Sequence, residues 1–102
     1  MDLKPGSRWK SAVCATEVVV VRPPSAGVVL ECGGAPMLAA GAERPEGGAV
    51  AADHAGGSLL GKRYTDPDTG LEALCAKPGQ GSLSVDGRAL AIKDAKKLPS
   101  SD

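Results

Sequence analysis

The sequence predicts an all-β domain of about six or seven short antiparallel strands, with an N-terminal hairpin as its first unit. Three observations carry the prediction. Glu17-Val18-Val19-Val20-Val21-Arg22 is a β-branched run that favours extended backbone. Turn signals recur along the whole chain: Pro23-Pro24, Asp66-Pro67-Asp68-Thr69-Gly70, Lys77-Pro78-Gly79-Gln80-Gly81 and Asp86-Gly87. No apolar pattern of helical period lies between them.

The elements follow in order. Residues 1–7 form an extended lead-in with a turn signal at Pro5-Gly6. Strand pattern starts at Arg8-Trp9 and runs through Ala12-Val13 into the valine run, where Val on successive positions suggests that both faces are at least partly covered. Pro23-Pro24 ends that strand, since neither residue can donate to a ladder. Ser25-Ala26-Gly27 then turns the chain into Val28–Cys32, and this pairing is expected to bring Cys14 and Cys32 to one end of a hairpin spanning residues 1–37. Residues 38–58 are dominated by Ala and Gly and read as a surface loop, with room for a short helix over part of Ala49–Ala55. Residues 59–93 read as two further hairpins. The first turns at Asp66–Gly70, and the second turns at Asp86-Gly87 between Ser82–Val85 and Arg88–Ile92. Residues 94–102 read as a flexible tail.

The chain has 102 residues and is expected to form a single domain, 1–102. It contains no Phe, one Trp and one Tyr, so Val, Leu, Ala and Cys must build the core. A core so thin in aromatic area invites a staple: a metal, a disulfide or a partner subunit. Twelve basic residues balance twelve acidic ones, and the one basic cluster, Lys93–Lys97, is interrupted by Asp94. Nothing there provides the basic face that nucleic-acid binding draws on. No apolar run approaches the roughly 20 residues of a membrane helix, and MDLKPGSRWK lacks the apolar region of a signal peptide. The expectation is a cytoplasmic protein with reduced thiols, in which spaced cysteines point to metal or redox chemistry more than to a structural disulfide.

Cys14, Cys32 and Cys75 are the candidate metal ligands. Trp9-Lys10-Ser11-Ala12-Val13-Cys14 and Val29-Leu30-Glu31-Cys32-Gly33-Gly34-Ala35-Pro36-Met37 are similar to the two halves of desulforedoxin and of the N-terminal domain of desulfoferrodoxin, in the rubredoxin-like group. The resemblance covers about a third of the chain. It implies a knuckle in which glycines beside a cysteine let backbone amides approach a metal-bound sulfur. Two positions depart from the pattern: Ser11 stands where the family has its first Cys, and Glu31 stands where it has the first of a Cys pair. The corner after Cys32 is also one residue longer. A four-thiolate iron site cannot be assembled from this segment alone, and one His in the chain cannot supply the iron site of superoxide reductase.

The sequence leaves three resolutions open. Cys75 joins Cys14 and Cys32, with Glu31, His54 or water as fourth ligand of zinc or iron. Alternatively, two chains each contribute two cysteines across a homodimer interface. In the third, the metal is lost and the thiols pack as small hydrophobes or form a labile disulfide. The leading functional reading is a non-catalytic accessory or interaction module without a cofactor, partnered by a second copy or a larger enzyme subunit. The competing reading is a zinc or iron metalloprotein using Cys14 and Cys32, with or without Cys75. A thiol enzyme built on Cys75 and His54 is a third idea, and nothing in the sequence orients that pair. Cys75 is also expected to share a buried face with Leu71 and Ala73, and His54 to be exposed. Gly61-Lys62-Arg63 lacks the hydroxyl and glycine spacing of a phosphate loop.

Overall fold

The computed structural model describes residues 1–44 and 48–93, and it is all-β. The described residues form ten short strands: β1 Arg8–Lys10, β2 Glu17–Arg22, β3 Leu30–Cys32, β4 Ala35–Pro36, β5 Leu38–Ala39, β6 Arg63–Thr65, β7 Glu72–Lys77, β8 Leu83–Val85, β9 Arg88–Ala89 and β10 Ala91–Lys93. The count exceeds six or seven because corners such as Ala35–Pro36 and Leu38–Ala39 each add a two-residue strand. A 3-10 turn, Ala52–His54, is the helical element within the expected loop. Residues 45–47 of that loop and the expected 94–102 tail lie outside the described residues.

Two antiparallel sheets share these strands. The larger runs β10-β6-β7-β2-β1-β5 and the smaller β4-β3-β8-β9. At the centre of the larger sheet, β2 pairs with β7 in the register Val18↔Cys75, Val19↔Leu74 and Val20↔Ala73. A register shift between Val20 and Arg22 leaves Val21 as an extra residue, 43% exposed. Bulges of this kind bend a strand and increase its twist. Along the valine run Val18 and Val20 are buried, Val19 is half-buried and Val21 is exposed. The expectation that both faces are at least partly covered holds at Val19, and Val21 is exposed.

The expected hairpin between residues 17–22 and 28–32 is not formed. Both edges of β2 are occupied, by β1 and by β7, so β3 has no edge to join and pairs instead with β4 and β8 in the other sheet. Pro23-Pro24 makes the crossing possible by stopping the ladder. The Asp86-Gly87 hairpin forms as its sequence predicts: Asp86 and Gly87 take φ of 50° and 82° and Val85 faces Arg88. Its second strand then divides at Leu90. Arg88–Ala89 stays with β8, and Ala91–Lys93 crosses to β6.

The core lies where the sheets face each other. Val18, Val20, Tyr64, Leu71, Ala73 and Cys75 come from the larger sheet or its turns, and Leu30, Cys32, Leu83 and Val85 from the smaller. The shared face of Leu71, Ala73 and Cys75 is as the alternation predicts. Trp9 packs on the edge of this core, and its Nε1–H donates to Ser7 Oγ at 3.0 Å.

Two buried carboxylates fasten the far strands. Glu72, 4% exposed, meets Arg63 at 3.3 Å and Lys93 at 3.1 Å, which ties β7 to β6 and β10. Asp66, 3% exposed, accepts from Thr69 Oγ1 at 2.7 Å and from Arg88 at 2.9 Å. Burial works to raise the pKa of both carboxyls. For Glu72, Lys93 and Arg63 outweigh it, and for Asp66, the Thr69 hydroxyl and Arg88 do, so both lie below their usual values. The unfolded chain therefore binds protons first as pH falls. The stability these groups add is complete above the ordinary carboxyl pKa near 4 and is lost as pH drops through the lower folded values. Urea unfolding should show a midpoint that falls steadily as pH drops below about 4. Because Arg63 and Lys93 are about half exposed, Glu72→Gln should cost only about 1–2 kcal/mol at neutral pH and shrink the acid loss.

Candidate functional site

Three turns converge on the cysteine pair, and each is shaped by its own residues. The first joins β1 to β2. The Ser11 N–H donates to Thr16 O at 2.8 Å, and Ser11 Oγ accepts from the N–H groups of Val13 and Cys14, both at 3.0 Å. One fully buried hydroxyl thus closes the turn and presents Cys14 at its tip. The second turn joins β3 to β4. Cys32 pairs with Ala35, while Gly33 and Gly34 between them take φ of 68° and 89°, a left-handed geometry that glycine adopts without strain. The third is the β7–β8 connection through Gly79-Gln80-Gly81, docked by a bond from Gly33 N–H to Ser82 O at 3.0 Å.

Glycine is required in the third turn by proximity. A Cβ on Gly81 would lie 3.0 Å from Cys32 Sγ and 2.8 Å from Gly33 N. One on Gly79 would lie 2.6 Å from Thr16 N and 3.1 Å from Cys14 Sγ. The third turn therefore presses bare backbone against both thiols.

Cys14 Sγ and Cys32 Sγ are 3.8 Å apart, within hydrogen-bond reach and not joined by a disulfide. The two cysteines meet although β2 and β3 lie in different sheets, because it is the turns at the strand ends that touch. Around Cys14 the polar groups form a closed ring. Gly81 N–H donates to Cys14 Sγ at 3.4 Å, and the Cys14 thiol donates to Thr16 Oγ1 at 3.3 Å. Thr16 Oγ1 lies 3.0 Å from Ser58 Oγ, and the Ser58 hydroxyl donates to Gly81 O at 2.6 Å. Since the single Ser58 proton goes to Gly81, the Thr16 proton goes to Ser58, and the ring returns to the residue where it began.

The two thiols differ in character. Burial opposes ionisation of Cys14, but hydrogen bonding to the Ser11 and Thr16 side chains and to the Thr16 and Gly81 backbone outweighs it and brings the pKa down to about 6. Cys32 is wholly buried. Burial, offset in part by the Thr16 hydroxyl and reinforced by the neighbouring Cys14 charge, pushes it up to about 11. Cys14 is the half-buried, acidic member, and a thiolate there keeps the Gly81 N–H as a donor.

The other sequence candidates lie elsewhere. Cys75 is 1% exposed, donates to Lys77 O at 3.1 Å, and burial raises its pKa. Glu31 Oε1 accepts from Ser84 Oγ at 3.0 Å and from Gly87 N–H at 2.9 Å, across the smaller sheet. His54 is half-buried rather than exposed, because its ring packs on Gly34, where a Cβ would sit 3.3 Å from its Cδ2. A separation of 3.8 Å suits two thiolates on one tetrahedral ion with bonds of about 2.3 Å. Two donors are half of such a set, however, and among the described residues no group of three or more His, Cys, Asp or Glu could hold a metal ion. Thr16, Ser58, Gly79 and Gly81 are the site residues that sequence reasoning missed. The one local signal was the paired glycines of Lys77–Gly81, which read there as a turn and nothing more.

Comparison of the chain with protein-family models, with curated proteins and with solved structures finds no match. No helix among the described residues is long and apolar enough to cross a membrane. What stands is a small β domain with a pair of unlike thiols at the meeting point of three turns.

Gly79→Ala should destabilise the fold by about 1–3 kcal/mol in denaturant unfolding, since Thr16 and Cys14 leave its Cβ no room. Gly41→Ala, with nothing within 4 Å of its Cβ, should stay within about 0.5 kcal/mol of the parent.

Proposed function

We propose that this chain is a small non-catalytic accessory module of the cytoplasm, built on the frame of a rubredoxin-like knuckle and acting through contact with a partner. The observation that carries this reading is what the two departing positions do. Ser11, at the place of the pattern's first Cys, is fully buried and spends its hydroxyl on the Val13 and Cys14 amides. Glu31, at the place of the next, is bonded to Ser84 and Gly87 on the adjacent hairpin. Both have become structural members of the scaffold, so hydrogen bonds do the closing that metal ligation does in the pattern it resembles.

Partner contact is supported by exposed apolar side chains that the core does not use. Leu59 and Leu60 are 54% and 63% exposed side by side, and Ile92 is 46% exposed on the edge strand β10. Edge strands with apolar side chains favour association unless something covers them. A second copy of the chain or a larger enzyme subunit would fill that role.

Metal analysis of protein purified under reducing conditions, together with sedimentation over a range of concentrations, tests the reading. The expected result is far less than one zinc or iron per chain, with an unfolding midpoint that a chelator leaves unmoved. One tightly held metal per chain, lost on Cys14→Ser, would replace this reading with a metalloprotein.

A further inference from the structure

The geometry points to a reversible dithiol–disulfide couple at Cys14 and Cys32, in which Cys14 reacts first with a small hydroperoxide and Cys32 resolves it. The inference does not depend on the accessory-module reading, because it uses nothing beyond the thiol pair and the turns around it.

Four features carry it. The sulfurs lie 3.8 Å apart, so a disulfide of about 2.05 Å requires a closure of less than 2 Å. One thiol reaches solvent and the other does not: Cys14 is half-buried, while Cys32 is fully enclosed. Cys14 Sγ accepts from the Gly81 N–H at 3.4 Å, a backbone donor that favours a thiolate, in keeping with its lowered pKa. Finally, the third thiol cannot compete, since Cys75 is buried and bonded to the Lys77 carbonyl.

The oxidant class follows from the cover over Cys14. Bare backbone at Gly79 and Gly81 lies against the thiols with no space for a Cβ, which admits a small molecule more readily than a protein disulfide. The steps balance as follows. The Cys14 thiolate attacks one peroxide oxygen, the O–O bond breaks, and the leaving oxygen takes the electron pair and a proton to depart as water or an alcohol. Cys14 is now a sulfenic acid. The Cys32 sulfur attacks the Cys14 sulfur, the S–OH bond breaks, and hydroxide leaves with the Cys32 proton as water. Both sulfurs are oxidised by one electron each, and the peroxide is reduced by two. A small-molecule dithiol returns the pair to the reduced state by two exchanges.

The test uses the full chain, reduced and held in a chelator so that metal binding plays no part. One equivalent of hydrogen peroxide is added at neutral pH, followed by thiol counting, peptide mapping and intact mass. The expected product has lost two of its three thiols, is monomeric in its cross-link, joins Cys14 to Cys32 and leaves Cys75 free. Cys32→Ser should stop at a sulfenic acid on Cys14, captured by a cyclic dione, and Cys14→Ser should lose peroxide reactivity by about 10-fold or more. Circular dichroism verifies that each variant is folded, and the wild-type mapping stands without either. Three thiols retained by folded wild-type protein would overturn the proposal. A bond that includes Cys75 or joins two chains would also overturn it, as would sulfenic acid forming as fast on Cys32 as on Cys14.

Discussion

Gly81 holds the site together through its two backbone groups. Its N–H reaches Cys14 Sγ and its carbonyl takes the Ser58 proton, so a ring of polar atoms begins and ends on one residue. Remove that residue's backbone from its place and three segments lose their common anchor: the β1–β2 turn, the stretch at Ser58 and the approach of Gly33 to Ser82. The ring also accounts for the burial of Thr16 and Ser58, at 0% and 2% exposure, since each hydroxyl both gives and receives. Buried hydroxyls without partners would cost the domain what the ring avoids.

A second polar fixture lies at the other end of β7, where Glu72 opens the strand. Glu72 and Asp66 gather Arg63, Lys93 and Arg88, residues from β6, β10 and β9. With no Phe and a core of Val, Leu, Ala and Cys, the chain buries little area per side chain. Side-chain hydrogen bonds then fix strand positions that larger apolar groups would fix elsewhere. The thiol site and the carboxylate sites are in that sense the same solution, applied at two ends of one sheet.

Some of this was legible in the sequence, for reasons particular to each element. Asp86-Gly87 was readable because the turn geometry is settled by the two residues inside it. The shared burial of Leu71, Ala73 and Cys75 followed from strand alternation alone. The pairing of β2 was not readable, because Val18 and Val20 fit any apolar neighbour and the neighbour they find lies more than fifty positions away, at Ala73 and Cys75. Cys14 and Cys32 meet as expected but by another route, through turns rather than along a hairpin. Thr16 and Ser58 were invisible for the same reason as the β2–β7 register: a hydroxyl's partner 42 positions off leaves no local trace.

The central place of β2 beside β7 also sets an order of events during synthesis. Glu17–Arg22 cannot gain its partner on that side until Glu72–Lys77 has left the ribosome, and the loop closed between them is long. Topologies dominated by such distant pairings assemble slowly. Through that interval the first two cysteines are already made, but Gly81 is not, so both thiols wait without the turn that later covers them. Cys32, wholly buried in the finished domain, is open to solvent for the whole of that interval.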